Sequence, residues 1–176
     1  FNENVEEERL IQYIEELNED SEIHGVLIQL PLPEDIDNNR VFEALRPEKD
    51  VDGLTPENMG KTLRGNASVK PGAVEAVEKI LEKHVEFQGL EVAIVNNSNL
   101  IGKPLSMSLT QKGATVTLCN VHTENLEAFT QGADVVVTAT GTRGVLDAES
   151  IPEDSIVVDA GYSHGEGDIE DVEAVS

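Results

Sequence analysis

Apolar residues recur along this chain in two rhythms, one helical and one extended, and the rhythm changes partway along. Leu10, Ile11, Ile14 and Leu17 form one stripe at helical spacing, with Glu6, Glu7, Glu8, Glu15 and Glu16 on the other face. That pattern predicts a helix over residues 5–18. His24 to Leu30 is a nearly continuous apolar run, the signature of a strand buried on both faces, and Gln29 interrupts it near its carboxyl end. Pro31 and Pro33 stop this run, because proline cannot donate to a ladder. Asp37 or Asn38 can cap a helix of about eight residues through Val41, Phe42 and Leu45, closed by Pro47. Residues 54–70 hold few apolar positions and three glycine or proline breaks, and read as a loop.

Pro71 suits the first position of a helix, and Val74, Val77, Ile80 and Leu81 carry its stripe to about His84. From there short apolar runs alternate with helical ones. Strands are predicted at 91–95, 114–118, 134–139 and 155–160, helices at 103–112 and 123–131, and a weak turn near 147–150. This alternation predicts an α/β fold with a doubly wound, Rossmann-like parallel sheet and right-handed crossovers in the C-terminal part. The expected organisation is a first α/β domain over 1–70, a connecting helix over 71–86 and a second domain over 87–176. Asp168 to Ser176 reads as the acidic, amphipathic start of a further element.

The chemistry concentrates where predicted strands end. Val92-Ala-Ile-Val95 runs into the polar turn Asn96 to Asn99, followed by Gly102, Pro104 and the apolar positions Leu105 and Leu109. In α/β proteins such a strand–turn–helix points the helix N–H groups at an anion. The glycine fingerprint is incomplete, since Asn96, Asn97 and Ser98 stand where glycines are expected. Asn tolerates left-handed backbone and can replace Gly there. A purely structural βα turn accounts for the same residues. Ser98 can meet a phosphate or cap the helix.

Thr138-Ala-Thr-Gly141 ends another strand in small residues that admit a ring or ribose, or simply pack closely. Asp159 either faces the same crevice or caps locally, and His122 and Thr123 follow a third strand end. In the first part, burial of Gln29 would demand hydrogen-bond partners. Asp50 and Asp52 beside Lys49 are either ligand-binding groups or a solvated turn. No His, Cys and carboxylate set has metal-ligand spacing, so no metal is expected.

Composition narrows the partners. Against 12 Lys and Arg stand 35 Asp and Glu, a formal net charge of −23, which disfavours nucleic acid and anionic membrane surfaces. The acids are spread along the chain, as in the solvating shell of proteins from salt-rich cytoplasm. The single Cys119 permits no internal disulfide and fits a reducing, cytoplasmic setting. No apolar run approaches the roughly 20 residues that span a bilayer. The chain begins at Phe1 and enters an acidic helical pattern directly, so a piece of a longer protein, lacking both termini, is expected.

Three stretches carry a resemblance: Val26-Leu-Ile-Gln-Leu-Pro-Leu-Pro33, Arg46-Pro-Glu-Lys-Asp-Val-Asp-Gly53 and Ser98-Asn-Leu-Ile-Gly-Lys-Pro104. Ala114-Thr-Val-Thr117, Ala133-Asp-Val-Val136 and Val157-Val-Asp159 with Gly161 follow in order. Together they resemble the bifunctional methylenetetrahydrofolate dehydrogenase/methenyltetrahydrofolate cyclohydrolase family over nearly the whole chain. The resemblance implies two α/β domains, the first for folate binding and catalysis, and usually a homodimer. It implies oxidation of 5,10-methylenetetrahydrofolate with NADP+ and hydrolysis of the product to 10-formyltetrahydrofolate. Gln29 would be the glutamine that hydrogen-bonds the catalytic lysine, Asp52 would grip the pterin ring, and Pro31 would join them in the substrate site. Asn96, Asn97, Ser98 and Ile101 would bind the cofactor, with Ser98 on a phosphate. His122, Thr123, Thr138 and Gly141 would line its crevice.

This sequence departs from the family pattern in several places. The Tyr-x-x-x-Lys motif that carries the catalytic lysine is absent, as is the C-terminal Pro-Gly-Gly-Val-Gly segment, and the chain alone is expected to be inactive. Asn97 replaces the arginine that commonly reads the 2′-phosphate, which leaves NAD as an alternative to NADP. The usual Pro-Cys-Thr-Pro start of the connecting helix reads Ser68-Val-Lys-Pro71. A non-catalytic nucleotide- or folate-binding relative, or another two-domain NAD(P)-dependent dehydrogenase, are the competing readings.

Overall fold

The computed structural model describes residues 5–161 and 167–169 and divides into two compact units, Phe1–Pro71 and Gly72–Ser176. The acidic element expected from Asp168 onward lies, beyond Ile169, outside the described residues.

Among the described residues the first unit holds three helices: α1 (Glu7–Glu19), α2 (Asn38–Ala44) and α3 (Pro56–Arg64). The stripe of α1 buries Leu10 and Ile14 against Ile36, Val41 and Leu45, with Val26, Ile28 and Leu32 packed alongside. Buried Asn18 joins two helix ends: its Nδ2 donates to Ala44 O at 2.7 Å and its Oδ1 accepts from Arg46 N at 3.0 Å. Lys49 donates through Nζ to the carbonyls of Leu17 (2.7 Å) and Asp20 (2.6 Å). It thereby neutralises the partly negative carboxyl end of α1.

Two expectations for this unit need correction. Residues 24–30 form no strand: one parallel bridge, Val26 to Asp50, is their only ladder contact among the described residues. Val26 and Ile28 turn toward the core while Leu27 is 57% exposed and Gln29 is exposed. The segment is covered on one face, because no sheet flanks it there. Within the expected loop 54–70 stands α3, which has few apolar residues and is held by its ends. Thr55 accepts from Asn58 N at 3.4 Å, Pro56 occupies the first helical position, and Gly65 (φ 74°) closes the helix in the left-handed conformation.

The second unit runs α4 (Gly72–Leu81), β1 (Glu91–Val95), α5 (Gly102–Gln111), β2 (Thr115–Cys119), α6 (Glu127–Thr130), β3 (Val135–Thr138) and β4 (Ile156–Asp159). All four strands are parallel, in the order β2-β1-β3-β4. Successive side chains on a strand face opposite sides. Val92, Ile94, Val135 and Val137 therefore pack on Leu105, Leu109, Val74, Val77 and Leu81, whereas Ala93, Val95 and Val136 pack on Leu146 and Ile151. Helix α4, expected to be a connector, is built into the core of this unit. The helix expected over 123–131 shrinks to α6, since Asn125 sits at φ 53° and breaks the preceding turn.

Candidate functional site

Register brings the candidate residues of the second unit to one edge. Val95 pairs with Cys119 on one side and Thr138 on the other, and Thr138 pairs with Asp159. The carboxyl ends of all four strands thus form a row. The chain leaves β1 in one direction, to β2, and returns on its other side to β3, so this edge carries the topological switch point where α/β sheets take ligands.

Asn96 organises the turn after β1. Its Oδ1 accepts from Ser98 N (2.8 Å), Ser98 Oγ (2.7 Å) and Gly102 N (3.1 Å), and its Nδ2 donates to Ala139 O at 2.6 Å. One half-buried amide therefore closes its own turn and ties it to the end of β3. The expected reason for asparagine here is wrong: among the described residues only Asn125 has positive φ outside glycine, so Asn96 and Asn97 act without left-handed backbone. Gly102 is required by close approach. A Cβ there would lie 2.5 Å from the carbonyl carbon of Asn96 and 2.8 Å from its Oδ1.

The expected anion site at the start of α5 also changes. Gly102 N is taken by Asn96, Lys103 N by Ser98 O (3.0 Å) and Leu105 N by Ile101 O (2.9 Å), while Pro104 has no N–H. The first turn of α5 points its donors at its own loop. Ser98 Oγ donates its proton to Asn96 and accepts from Ile101 N at 3.2 Å, which leaves one lone pair for a donor group and, against the expectation, no proton for a phosphate. Ile101 is half-buried at the entrance of the helix, and Asn97 is exposed on the turn.

The remaining candidates sort by environment. His122 is exposed and its N donates to Asn120 Oδ1 (2.8 Å), while Thr123 Oγ1 accepts from Asn120 N (2.9 Å), so both belong to a closed turn after β2. Thr138 is fully buried and donates its hydroxyl to Asp168 Oδ2 at 2.8 Å, so it supports the edge from below. Gly141, at φ 68°, is half-buried in the loop beyond it. Asp159 caps locally: it accepts from Gly161 N (2.9 Å) and Ile169 N (3.2 Å). Buried Cys119 ends β2, and burial pushes its thiol pKa up.

Asp168 was missed by sequence reasoning. Its carboxylate is fully buried and accepts from Thr138 Oγ1, Thr140 N and, at 3.0 Å, Thr142 N. The available signal was an acid between Gly167 and Ile169 in a sequence otherwise short of apolar residues, which does not separate it from a surface acid.

In the first unit Gln29 and Pro31 line a hollow of about 640 Å³ whose other walls include Leu10, Ile14, Val26 and Ile28. Gln29 is exposed, against the expected burial, and its Nε2 donates to Leu30 O at 3.1 Å. The two acids of the charged turn have different roles. Asp50 is buried and accepts from Thr55 N (2.8 Å), Asn58 Nδ2 (2.9 Å) and Asp52 N (3.2 Å). Burial works against its ionisation, but the hydrogen bonds from Thr55, Asn58 and Leu54 outweigh it and hold the carboxyl below its usual range. Asp50 is thus a structural acceptor, and Asp52 is half-buried in the same turn.

Comparison with known proteins meets this geometry in both units. Residues 1–52 match the family described as tetrahydrofolate dehydrogenase/cyclohydrolase, catalytic domain, and residues 71–175 match its NAD(P)-binding domain. The bifunctional protein FolD of Burkholderia ambifaria is 42% identical over 160 residues, 90% of this chain and 56% of that protein. FolD of Paraburkholderia phytofirmans is 43% identical over 158 residues, 89% and 55% of the two chains. Among solved structures, the bifunctional FolD of Campylobacter jejuni superposes with TM-score 0.88 at 34% identity, covering 97% of this chain and 63% of that one. The Trypanosoma brucei FolD, complexed with NADP cofactor and inhibitor, gives 0.88 at 30% identity over 95% and 62%. The chain spans little more than half the length of the curated relatives it matches. With a family match in each unit and relatives 42–43% identical over about nine tenths of the chain, the chain belongs to the tetrahydrofolate dehydrogenase/cyclohydrolase family.

Proposed function

We propose that the protein containing this chain oxidises 5,10-methylenetetrahydrofolate to the methenyl form with NADP+ and hydrolyses that product to 10-formyltetrahydrofolate. The observation that carries this reading is the carboxyl edge of the second unit. There Gly102 permits the close approach of two chain segments, and Asn96 fixes the β1 and β3 loops against each other, in a chain matched to this family on both sides. NADP+, when bound, takes a hydride from the methylene carbon and leaves NADPH and the methenyl cation. Water then adds to that carbon and one proton is released; the carbon–N5 bond breaks as the hydroxyl proton passes to N5, which leaves the formyl group on N10.

The chain's own groups orient and hold. Ser98 offers its remaining lone pair at the turn, Asn97 and Ile101 flank it, and Gly141 and the His122–Thr123 turn border the edge. Asp52 is assigned to the pterin, whose ring N–H and amino donors match a carboxylate. Gln29 is assigned to hold the ammonium of a lysine from outside this chain through its amide oxygen, and Pro31 shapes the wall beside it. NADP+ is preferred over NAD+ because the Trypanosoma relative is complexed with NADP. The exposed Asn97 supplies no cation for a 2′-phosphate, so NAD+ is the competing cofactor. The full protein is assigned as a cytoplasmic homodimer, measurable by sedimentation equilibrium.

The test is absorbance at 340 nm with the full-length protein, methylenetetrahydrofolate and either nucleotide in high salt. A rise with NADP+ supports the reading, and no rise with either nucleotide sinks it. Asp52→Ala is expected to raise the KM for folate about tenfold or more and leave nucleotide affinity within about twofold. Equal loss of both would make Asp52 a structural residue.

A further inference from the structure

A carboxylate that the proposed reaction does not use sits beneath the site. Asp168 is fully buried, and among the described residues the partners of its carboxylate come from one short segment. Thr138 Oγ1 and Thr140 N donate to Oδ2, and Thr142 N donates to Oδ1 at 3.0 Å. Gly144 N donates to its backbone oxygen at 2.9 Å. Every one of these donors lies in Thr138–Gly144, the loop that leaves β3 at the ligand edge. A bridge between Leu146 and Ile169 continues the attachment.

The opposite side of the same loop is held by Asn96, whose Nδ2 donates to Ala139 O. Alternate groups of the loop are thus gripped from two directions, by an amide at the end of β1 and by a carboxylate some thirty residues later in the chain. Gly161 makes room for this carboxylate, since a Cβ there would overlap its oxygens. Asp159, one strand end away, accepts from Ile169 N and fixes the segment that carries Asp168.

Burying a carboxylate costs free energy that a neutral, well-packed side chain would not. Its three donors offset that cost only while the loop keeps one conformation. A backbone N–H that turns toward solvent leaves the charge under-satisfied, so the carboxylate selects the loop geometry that satisfies it.

We propose that Asp168 is a positioning residue for the nucleotide site: by holding Thr138, Thr140 and Thr142 from below, it sets the shape of the loop against which the nicotinamide dinucleotide binds. This inference rests on the nucleotide reading of the edge given above. Asp168 itself touches no ligand and acts through the loop. If the loop without its anchor spends about a tenth of its time in the binding shape, affinity falls about tenfold, because only the competent fraction binds.

The experiment measures NADP+ and NAD+ binding to the full-length protein by isothermal titration in high salt. It compares wild type with Asp168→Asn, Thr138→Val and the surface control Asp147→Asn, whose carboxylate accepts from Ser150 N and Ser150 Oγ. Amide exchange of β1 and β3 and the amide proton shifts of Thr140 and Thr142 are read in parallel. The expected result is binding weakened about tenfold in Asp168→Asn, threefold in Thr138→Val and unchanged in Asp147→Asn, with loop amide shifts lost while strand exchange is retained. Asp168→Asn that folds and binds within about twofold of wild type overturns the inference and leaves the nucleotide reading standing. If Asp168→Asn does not fold, Thr138→Val decides: moved loop amides with unchanged affinity overturn it. Wild type that binds neither nucleotide ends the reading of the edge and this inference with it.

Discussion

Gly102→Ala tests whether the edge depends on the close approach of β1 and α5. The new methyl carbon would sit 2.5 Å from the Asn96 carbonyl carbon and 2.8 Å from Asn96 Oδ1, against the 3.4 Å at which ordinary contact begins. The obstructing atoms are backbone and a side chain already pinned by four hydrogen bonds, so no flexible group can move aside. The turn must open by about 1 Å, at an overpacking cost of about 1–3 kcal/mol. Gly102 N then leaves Asn96 Oδ1, and one lost hydrogen bond adds about 1 kcal/mol. The expected total is about 3 kcal/mol, or exchange about a hundredfold faster at the protected amides of β1 and β3 under native-state conditions. Gly60→Ala is the control. Gly60 lies inside α3 with nothing within 4 Å of the added carbon, and alanine there should stabilise the helix by about 0.5–1 kcal/mol. If Gly102→Ala leaves strand exchange unchanged, the tight junction at Asn96 is not what holds this edge together.

Two further outcomes are expected. The folded-state pKa of Asp50 lies below its unfolded value, so the stability it contributes is complete above about pH 4 and is lost as pH falls through the folded value. Asp50→Asn should therefore cost about 1–3 kcal/mol at neutral pH and flatten the acid limb of a helix-signal titration, and an unaltered acid slope would refute this. With a net charge of −23, the chain should melt lower as salt is withdrawn, because screening over about a 10 Å Debye length at 0.1 M relieves self-repulsion. A melting temperature independent of salt from about 0.1 to about 2 M, over which the Debye length falls roughly four- to fivefold, would sink the idea of a salt-adapted shell.

The second unit was readable because its elements are specified by local apolar runs. Val92-Ala-Ile-Val95 and Val135-Val-Val-Thr138 are buried on both faces, so runs of three or four consecutive apolar residues mark these two strands within a residue or so of their observed bounds. The same rule failed at 24–30. That run is equally apolar, but only a single bridge pairs with it, and composition cannot show how many neighbours a strand has. Helix α3 failed for the converse reason. Pro56 to Arg64 lacks an apolar stripe, and its evidence was at the ends, Thr55-Pro56 and Gly65, which are cap signals outweighed there by the count of helix breakers.

The site divides along the same line, and sequence separation decides which side a residue falls on. Asn96 accepts from Ser98 and Gly102, two and six residues on, and Asn120 accepts from His122 two residues on. Such contacts leave a local trace, so a polar turn at a strand end is visible as a candidate even when the reason assigned to it is wrong. Asp168 accepts from residues 26 to 30 positions earlier, and Asn96 donates to Ala139 43 positions later. Those bonds exist only because parallel strands bring their carboxyl ends into one row, and that row follows from the order β2-β1-β3-β4. An acid near the end of an acidic chain carries no mark that it will be buried under a loop. The sequence therefore marks the polar turns at the strand ends, whereas the residues that hold those turns in place appear only once the sheet order is known.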